Sequence, residues 1–285
     1  MNYRHAFHAG NHADVFKHAA LSLILEHLRR KPAPFAVVDT HAGVGVYDLT
    51  SESAQKTREF EAGVGRIFGR DLASAPRYAE LLRAMNPAGL ATYPGSPEIV
   101  RRMLRDDDRL VACELHPAEV AELRARYRSD PRVAVHHRDG YEAVVALTPP
   151  PERRGLVLID PPFEDPDETT KLGAALAAGL RKWPTGVFAA WHPVKDGRIG
   201  DLLAGAAAVG GFPKTLRAEF CALPRDGVAM AGGGLLIANA PWKLDEKLEA
   251  LCRELASLLG DGQASWSVKA MPSPLAGEGG REAVG

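Results

Sequence analysis

The sequence predicts an α/β fold built on a doubly wound, mainly parallel sheet, and three observations carry that prediction. Short apolar runs recur along the chain, helical patterns separate most of them, and an acidic residue closes each of the first four. The runs are Phe35 to Asp39, Arg109 to Glu114, Arg132 to His137, Gly155 to Ile159, Gly186 to Trp191, Leu216 to Leu223 and Gly234 to Ala240, which makes a seven-stranded sheet. The run Gly155 to Ile159 is apolar throughout, as a strand covered on both faces must be.

Ahead of the first strand, Asn11 is placed to cap a helix that carries the apolar segment Ala19 to Leu25 into the core. That segment is too short for a secretion signal, is followed at once by Glu26-His27-Leu28-Arg29-Arg30, and lacks a small-residue cleavage pattern. Between the first and second strands, helical patterns at Ser53 to Phe68 and Pro76 to Met85 and a Pro/Gly-punctuated stretch from Asn86 to Pro97 predict a small helical insertion. Ser96 as N-cap and Pro97 at the first helical position open a helix over 97–105. Helices over Pro117 to Arg128, Thr169 to Lys182 and Ile199 to Val209 return the chain across the sheet, while the short link Pro224 to Gly233 makes the last two strands an antiparallel hairpin. On this pattern residues 1–50 and 94–271 form a Rossmann-like core, 51–93 the insertion, and 272–285, rich in Pro, Gly and Ala, a disordered tail.

Composition narrows the function. With 35 Lys and Arg against 36 Asp and Glu, any affinity for nucleic acid has to come from a local patch. Cys113, Cys221 and Cys252 form no Cys-x-x-Cys pair, which argues against a disulfide framework, a zinc ribbon or a redox motif and for a reducing cytoplasm. No run approaches the ~18 apolar residues of a membrane span.

Asp160-Pro161-Pro162-Phe163 is the most informative stretch, because it follows the fourth strand at the carboxyl edge of the sheet, where such folds place their chemistry. The prolines remove two backbone donors, leaving the Asp160 carboxylate and the Pro161 carbonyl as acceptors beside the flat face of Phe163. That set suits a planar aromatic amine whose hydrogens are held while its lone pair attacks an electrophile. At the first strand's end, Asp39-Thr40-His41-Ala42-Gly43-Val44-Gly45 is a turn that lets backbone approach a ligand. A nicotinamide dehydrogenase is disfavoured, since Asp48 stands where its third glycine belongs. Glu114 is placed to accept from a ribose diol. Asp39, Glu114, Asp139 and Asp160 together predict an acidic rim, which S-adenosylmethionine would justify: it has a diol, an adenine amine and a cationic centre, and no phosphates.

The amino terminus, from Tyr3 to His18, holds four of the ten histidines. His8 and His12 are four apart, but Gly10 and Asn11 between them argue against a shared helical face, and no metal is expected. Tyr3, Arg4 and His5 offer stacking and donor groups to RNA, in a segment expected to stay mobile until RNA orders it, while Lys17 and His18 project from the following helix toward a ligand. The spacing of Asp14, His18, Ser22 and Glu26 also fits a solvated helix face. Basic pairs at Arg29-Arg30-Lys31, Arg101-Arg102, Arg153-Arg154 and Arg181-Lys182 read as solvated helix ends or strand approaches.

The segments Tyr3 to His18, Asp39 to Gly45, Tyr93-Pro94-Gly95-Ser96-Pro97, Glu114-Leu115-His116-Pro117 and Pro241-Trp242-Lys243-Leu244 together closely resemble the bacterial 23S ribosomal RNA adenine-N6 methyltransferase J family. The resemblance runs from Tyr3 to about Val268; its first and last segments are specific, whereas the Gly turn and the Asp-Pro-Pro-aromatic motif occur in many methyltransferases. It implies a Rossmann-like class I methyltransferase, monomeric, that uses S-adenosylmethionine to methylate the N6 amine of an adenine in 23S rRNA, adenine 2030, during ribosome biogenesis. It also implies cofactor contacts at His18, His41, Ser96, Glu114, Asp139, Gly140 and Asp160, a catalytic acid at Asp160 and an RNA-contacting tyrosine at Tyr3. Phe163 departs from the tyrosine common in the family but keeps a stacking face, and the tail after about Met271 has no counterpart. The rival readings are a DNA adenine-N6 methyltransferase, which would need a flipped base, and a non-catalytic RNA-binding assembly factor on the same fold.

Overall fold

The computed structural model describes residues 4–227 and 229–271. The expectations at Tyr3 and over the 272–285 tail lie outside the described residues. A 3-10 turn, His5–Phe7, precedes α1 (His12–Arg29), β1 (Ala36–Asp39) and β2 (Val46–Asp48). Four short helices follow, α2 (Glu52–Thr57), α3 (Glu59–Ala62), α4 (Val64–Ile67) and α5 (Pro76–Met85), and then β3 (Thr92–Pro94) and α6 (Ser96–Met103). Strands and helices alternate from there through β4 (Arg109–Glu114), α7 (Pro117–Tyr127), β5 (Val133–His137), α8 (Gly140–Ala146), β6 (Gly155–Ile159), α9 (Glu168–Lys182), β7 (Val187–Val194) and α10 (Arg198–Val209). The chain closes with β8 (Leu216–Cys221), β9 (Gly232–Ala238), α11 (Leu244–Leu259) and β10 (Ser265–Ala270).

Among the described residues the main sheet has eight strands, in the order β10-β8-β9-β7-β6-β1-β4-β5. β1 lies between β4 and β6, parallel to both, and β8 and β9 form the expected antiparallel pair. Seven strands were expected. The eighth, β10, pairs antiparallel with β8 at the sheet's edge, and its alternation Ser265-Trp266-Ser267-Val268 is that of a half-exposed strand, a weaker signal than the apolar runs. Side chains alternate faces along each central strand. Val37, Leu156 and Leu158 join the core under α1, α6 and α11, whereas Val38, Val157 and Ile159 join the core under α9 and α10, giving three layers.

α1 is buried along most of its length, including Asp14, His18 and Ser22, so the solvated face suggested by their spacing is not what they form. Asn11 caps it as expected, its side chain accepting from Asp14 N at 3.0 Å. The helix expected over Ser53 to Phe68 is broken into α2, α3 and α4 at Arg58, which adopts a left-handed φ of 53°, and at Gly63. The breaks let this excursion follow the amino-terminal segment: Val64 N donates to Gly10 O at 2.8 Å, and a Cβ on Gly63 would stand 2.1 Å from that same oxygen. β2 and β3 pair at the root of the excursion, Val46 opposite Pro94. α6 starts one residue early, with Gly95 as N-cap and Ser96 inside the helix, because Gly95 N is held by Gly45 O at 2.8 Å. Among the described residues no helix is long and apolar enough to cross a membrane.

Candidate active site

The strand order reverses between β1 and β6: the chain steps outward from β1 through β4 to β5, then crosses back to β6. In an open α/β sheet that switch point leaves a crevice beyond the strands' carboxyl ends. A cleft of about 1570 Å³ occupies it, lined by His18, His41, Gly43, Ser96, Glu114, Asp139, Gly140, Asp160, Pro161 and Phe163 among others. The strand ends and the amino terminus name twelve site residues, Tyr3 to His5, His18, His41, Ser96, Glu114, Asp139, Gly140, Asp160, Pro161 and Phe163; of the eleven described, all but Arg4 line this cleft.

The half of the cleft over β1, β4 and β5 is a polar cradle. Glu114 accepts from Gly43 N at 2.9 Å through Oε2 and from His116 N at 2.7 Å through Oε1, which locks the Gly turn against β4. A carboxylate has about four lone-pair sites, so roughly two remain for a ligand diol. Asp139 caps α8, its Oδ1 accepting from Tyr141 N at 2.9 Å and Glu142 N at 3.0 Å, which leaves Oδ2. Gly140 opens that helix where only glycine fits, since a Cβ would meet the His41 ring at 2.5 Å and Thr40 O at 2.6 Å. The His41 ring bonds Thr40 Oγ1 at 2.7 Å, and burial lowers its pKa, so it serves as a neutral wall. His18 Nδ1 and the Tyr93 hydroxyl share a hydrogen bond at 2.8 Å, and burial pushes the pKa of the His18 ring down to about 3.

Asp39 does not belong to the rim. It is wholly buried beneath the cleft, where burial, reinforced by the charge of Asp160, pushes its carboxyl up to about 7. Neither oxygen meets a donor at bonding geometry, although the Ser96 hydroxyl and the His41 backbone lie near enough to draw the pKa partly back. Of the four acids expected on the rim, three, Glu114, Asp139 and Asp160, therefore line the cleft.

The other half of the cleft centres on Asp160. Lys17 Nζ donates to its Oδ2 at 2.6 Å and lies 2.8 Å from Asp14 Oδ1. Burial works against the Lys17 ammonium, but the two carboxylates outweigh it and raise its pKa, and the same network holds Asp14 well below the usual carboxylate range. Beside it, Phe163 and Trp191 meet edge to face at 5.8 Å and 71°, and the Lys17 ammonium stands 5.5 Å from the Trp191 ring centre. Phe163 takes φ 53°, a left-handed conformation that costs a bulky residue on the order of 1–2 kcal/mol. Strain of this kind collects at sites where the surroundings fix one conformation for a purpose.

Two expectations need correction. His5 does not hang free for RNA: its Nε2 bonds Asp14 Oδ2 at 2.8 Å and its ring packs edge-on to Tyr47 at 5.0 Å. The segment from His5 to His8 is likewise anchored, since His8 Nδ1 bonds Glu59 Oε1 at 2.8 Å and Thr57 donates to Phe7 O. Arg4 is exposed. Trp191 was missed; its position near the end of the strand beside Asp160 was the available signal.

A family described as ribosomal RNA large subunit methyltransferase D, RlmJ, matches residues 32–271. The chain is 40% identical over 277 residues to ribosomal RNA large subunit methyltransferase J of Escherichia coli K12, covering 94% of this chain and 99% of that protein. It is 38% identical over 275 residues to the protein of the same name from Haemophilus influenzae, covering 94% and 98%. A crystal structure of protein LPL1258 from Legionella pneumophila superposes with a TM-score of 0.86 at 32% identity, over 93% of this chain and 98% of that one. With a cleft at the switch point and an Asp-Pro-Pro-Phe corner inside it, this chain belongs to the ribosomal RNA large subunit methyltransferase J family.

Proposed function

We propose that the chain transfers a methyl group from S-adenosylmethionine to the exocyclic N6 amine of an adenine in 23S rRNA, at adenine 2030 as the family resemblance implies. The observation that carries this reading is the position of Asp160, ion-paired to Lys17 and set between a polar cradle and an aromatic corner.

The cradle suits the cofactor on chemical grounds. Glu114 keeps lone pairs for a ribose diol, Asp139 keeps one oxygen for an adenine amine, Gly140 leaves room where a side chain would intrude, and the unpaired acids favour a cation. When bound there, S-adenosylmethionine supplies an electrophilic methyl on a sulfonium.

Chain residues do the rest. Phe163 and Trp191 form a corner in which a purine can stack on one ring and meet the edge of the other. The Pro161 carbonyl and Asp160 Oδ1 accept the two amine hydrogens, which turns the nitrogen lone pair toward the cradle. Lys17 holds Oδ2, so the carboxylate cannot rotate away from the amine. Asp160 need not be a strong base, because an aryl amine that has attacked loses its proton easily, and Oδ1 lies on the path by which that proton leaves.

The test is methyl transfer from labelled S-adenosylmethionine to 23S rRNA, to DNA of the same sequence, and to neither, with nucleoside mass spectrometry of the product. N6-methyladenosine in the RNA alone is the expected result; methyl-adenine in DNA, or no transfer despite RNA binding, would favour one of the rival readings.

A further inference from the structure

The cations at the far end of α1 take no part in the cleft. α1 is 18 residues long, about 27 Å at 1.5 Å per residue, and runs from the cleft to Arg29 at the opposite edge of the sheet. Among the described residues Arg29, Arg30 and Lys31 have no acidic partner. Arg154, from the turn before β6, reaches the same place and donates to the carbonyls of Leu28 and Ala33. Lys247, in the first turns of α11, stands 3.8 Å from Glu26. The turn leading into that helix carries Trp242, 76% exposed.

A helix end attracts one or two cations as dipole partners. Here three separate parts of the chain bring cations together, and the potential they create is visible at His27. A helix C-terminus normally favours a protonated histidine, yet His27 is pushed below its ordinary value by burial and then by Arg30, Arg154, Lys247 and Lys31. The chain as a whole carries a net charge of −1, and Glu114, Asp139 and Asp160 face the cleft. A polyanion whose target base must enter that acidic cleft needs its phosphates held elsewhere.

We propose that this patch is a second RNA-binding surface, where Arg30, Lys31 and Lys247 contact phosphates of a distant part of the same rRNA and Trp242 offers a base a face to stack on. The proposal rests on the rRNA reading of the cleft. Because Lys17 at the cleft and Arg30 in the patch are 13 residues apart along α1, about 20 Å, only an RNA long enough to follow the protein surface engages both, and such an RNA is the preferred substrate.

The experiment uses the full chain, transcribed 23S rRNA, and a short hairpin carrying only the target adenine and its stem. The triple variant Arg30→Gln, Lys31→Gln, Lys247→Gln should raise KM for the long RNA at least about fivefold and reduce its salt slope by about 2–3, at ~0.7–0.9 per lost phosphate contact. KM and kcat on the hairpin, and the melting temperature, should not move. Trp242→Ala should weaken long-RNA binding by about tenfold, the value of one lost base stack. An unchanged KM on the long RNA, or an equal rise on both RNAs, overturns the proposal. Wild-type protein that methylates neither RNA would instead overturn the reading of the cleft itself, and the proposal with it.

Discussion

Lys17 Nζ lies 2.6 Å from Asp160 Oδ2, joining the first helix of the chain to the end of β6 across 143 residues of sequence. Lys17 is 4% exposed and Asp160 14%, so the pair is shielded from screening by salt. The fold thus fixes the orientation of the acid that would hold the acceptor amine.

Lys17→Met should lower methyl transfer by about 100-fold and leave the buried Asp14 and the part-buried Asp160 without their shared cation, which costs on the order of 3–5 kcal/mol of stability. Pairing it with Asp160→Asn in a double-mutant cycle should give a coupling of about 1–3 kcal/mol in stability. Additive losses would mean that the two residues act independently.

Glu114→Gln should weaken S-adenosylmethionine binding by about 1.5–3 kcal/mol, the range for a hydrogen bond to a charged group, because the diol acceptor and the brace on Gly43 are both altered. RNA affinity should hold. Isothermal titration with cofactor and with RNA checks both, and a loss confined to RNA would put Glu114 in the wrong half of the cleft.

Trp191→Ala should raise KM for RNA by about tenfold, since an aromatic contact to a base contributes ~1–3 kcal/mol. Cofactor affinity should stay at the wild-type value. Unchanged RNA kinetics would reduce the Phe163–Trp191 corner to packing.

Asp39 gives a pH signature. Its folded pKa of about 7 exceeds the ordinary 3.8, so the folded state binds the proton more tightly. The stability it contributes is fully present below about pH 4 and is lost as pH rises toward about 7. His18, depressed to about 3, and His192, depressed to about 4, act in the opposite sense between their folded values and about 6.5, so the wild-type profile is a sum. Asp39→Asn isolates the carboxyl: relative to wild type the variant should gain on the order of a few kcal/mol between pH 4 and pH 8. Urea unfolding at several pH values measures it, and a difference that is flat with pH would mean that Asp39 titrates normally.

Most of the sheet and the location of the cleft were legible because buried parallel strands leave continuous apolar runs and their acids fall at the ends. The tertiary relations were not. Spacing cannot show that Lys17 reaches Asp160, that Gly63 breaks a helix to admit Gly10 O, or that Asp39 sinks below the rim while Glu114 stays on it, because each depends on a partner distant in sequence. Trp191 looked like a strand residue because it is one, and only the placement of β7 beside β6 makes it a wall of the site. β10 escaped notice because a half-exposed edge strand carries half the apolar signal.

In the proposed mechanism Asp160 holds the N6 amine of an adenine in 23S rRNA. Asp160→Ala, in which Lys17 keeps Asp14 as its partner, should cut single-turnover methylation of 23S rRNA by 100-fold or more, on the order expected when positioning and proton handling are lost together. S-adenosylmethionine and RNA should still bind, and N6-methyladenosine should vanish from the product. Single-turnover methylation at near the wild-type rate would remove Asp160 from the mechanism.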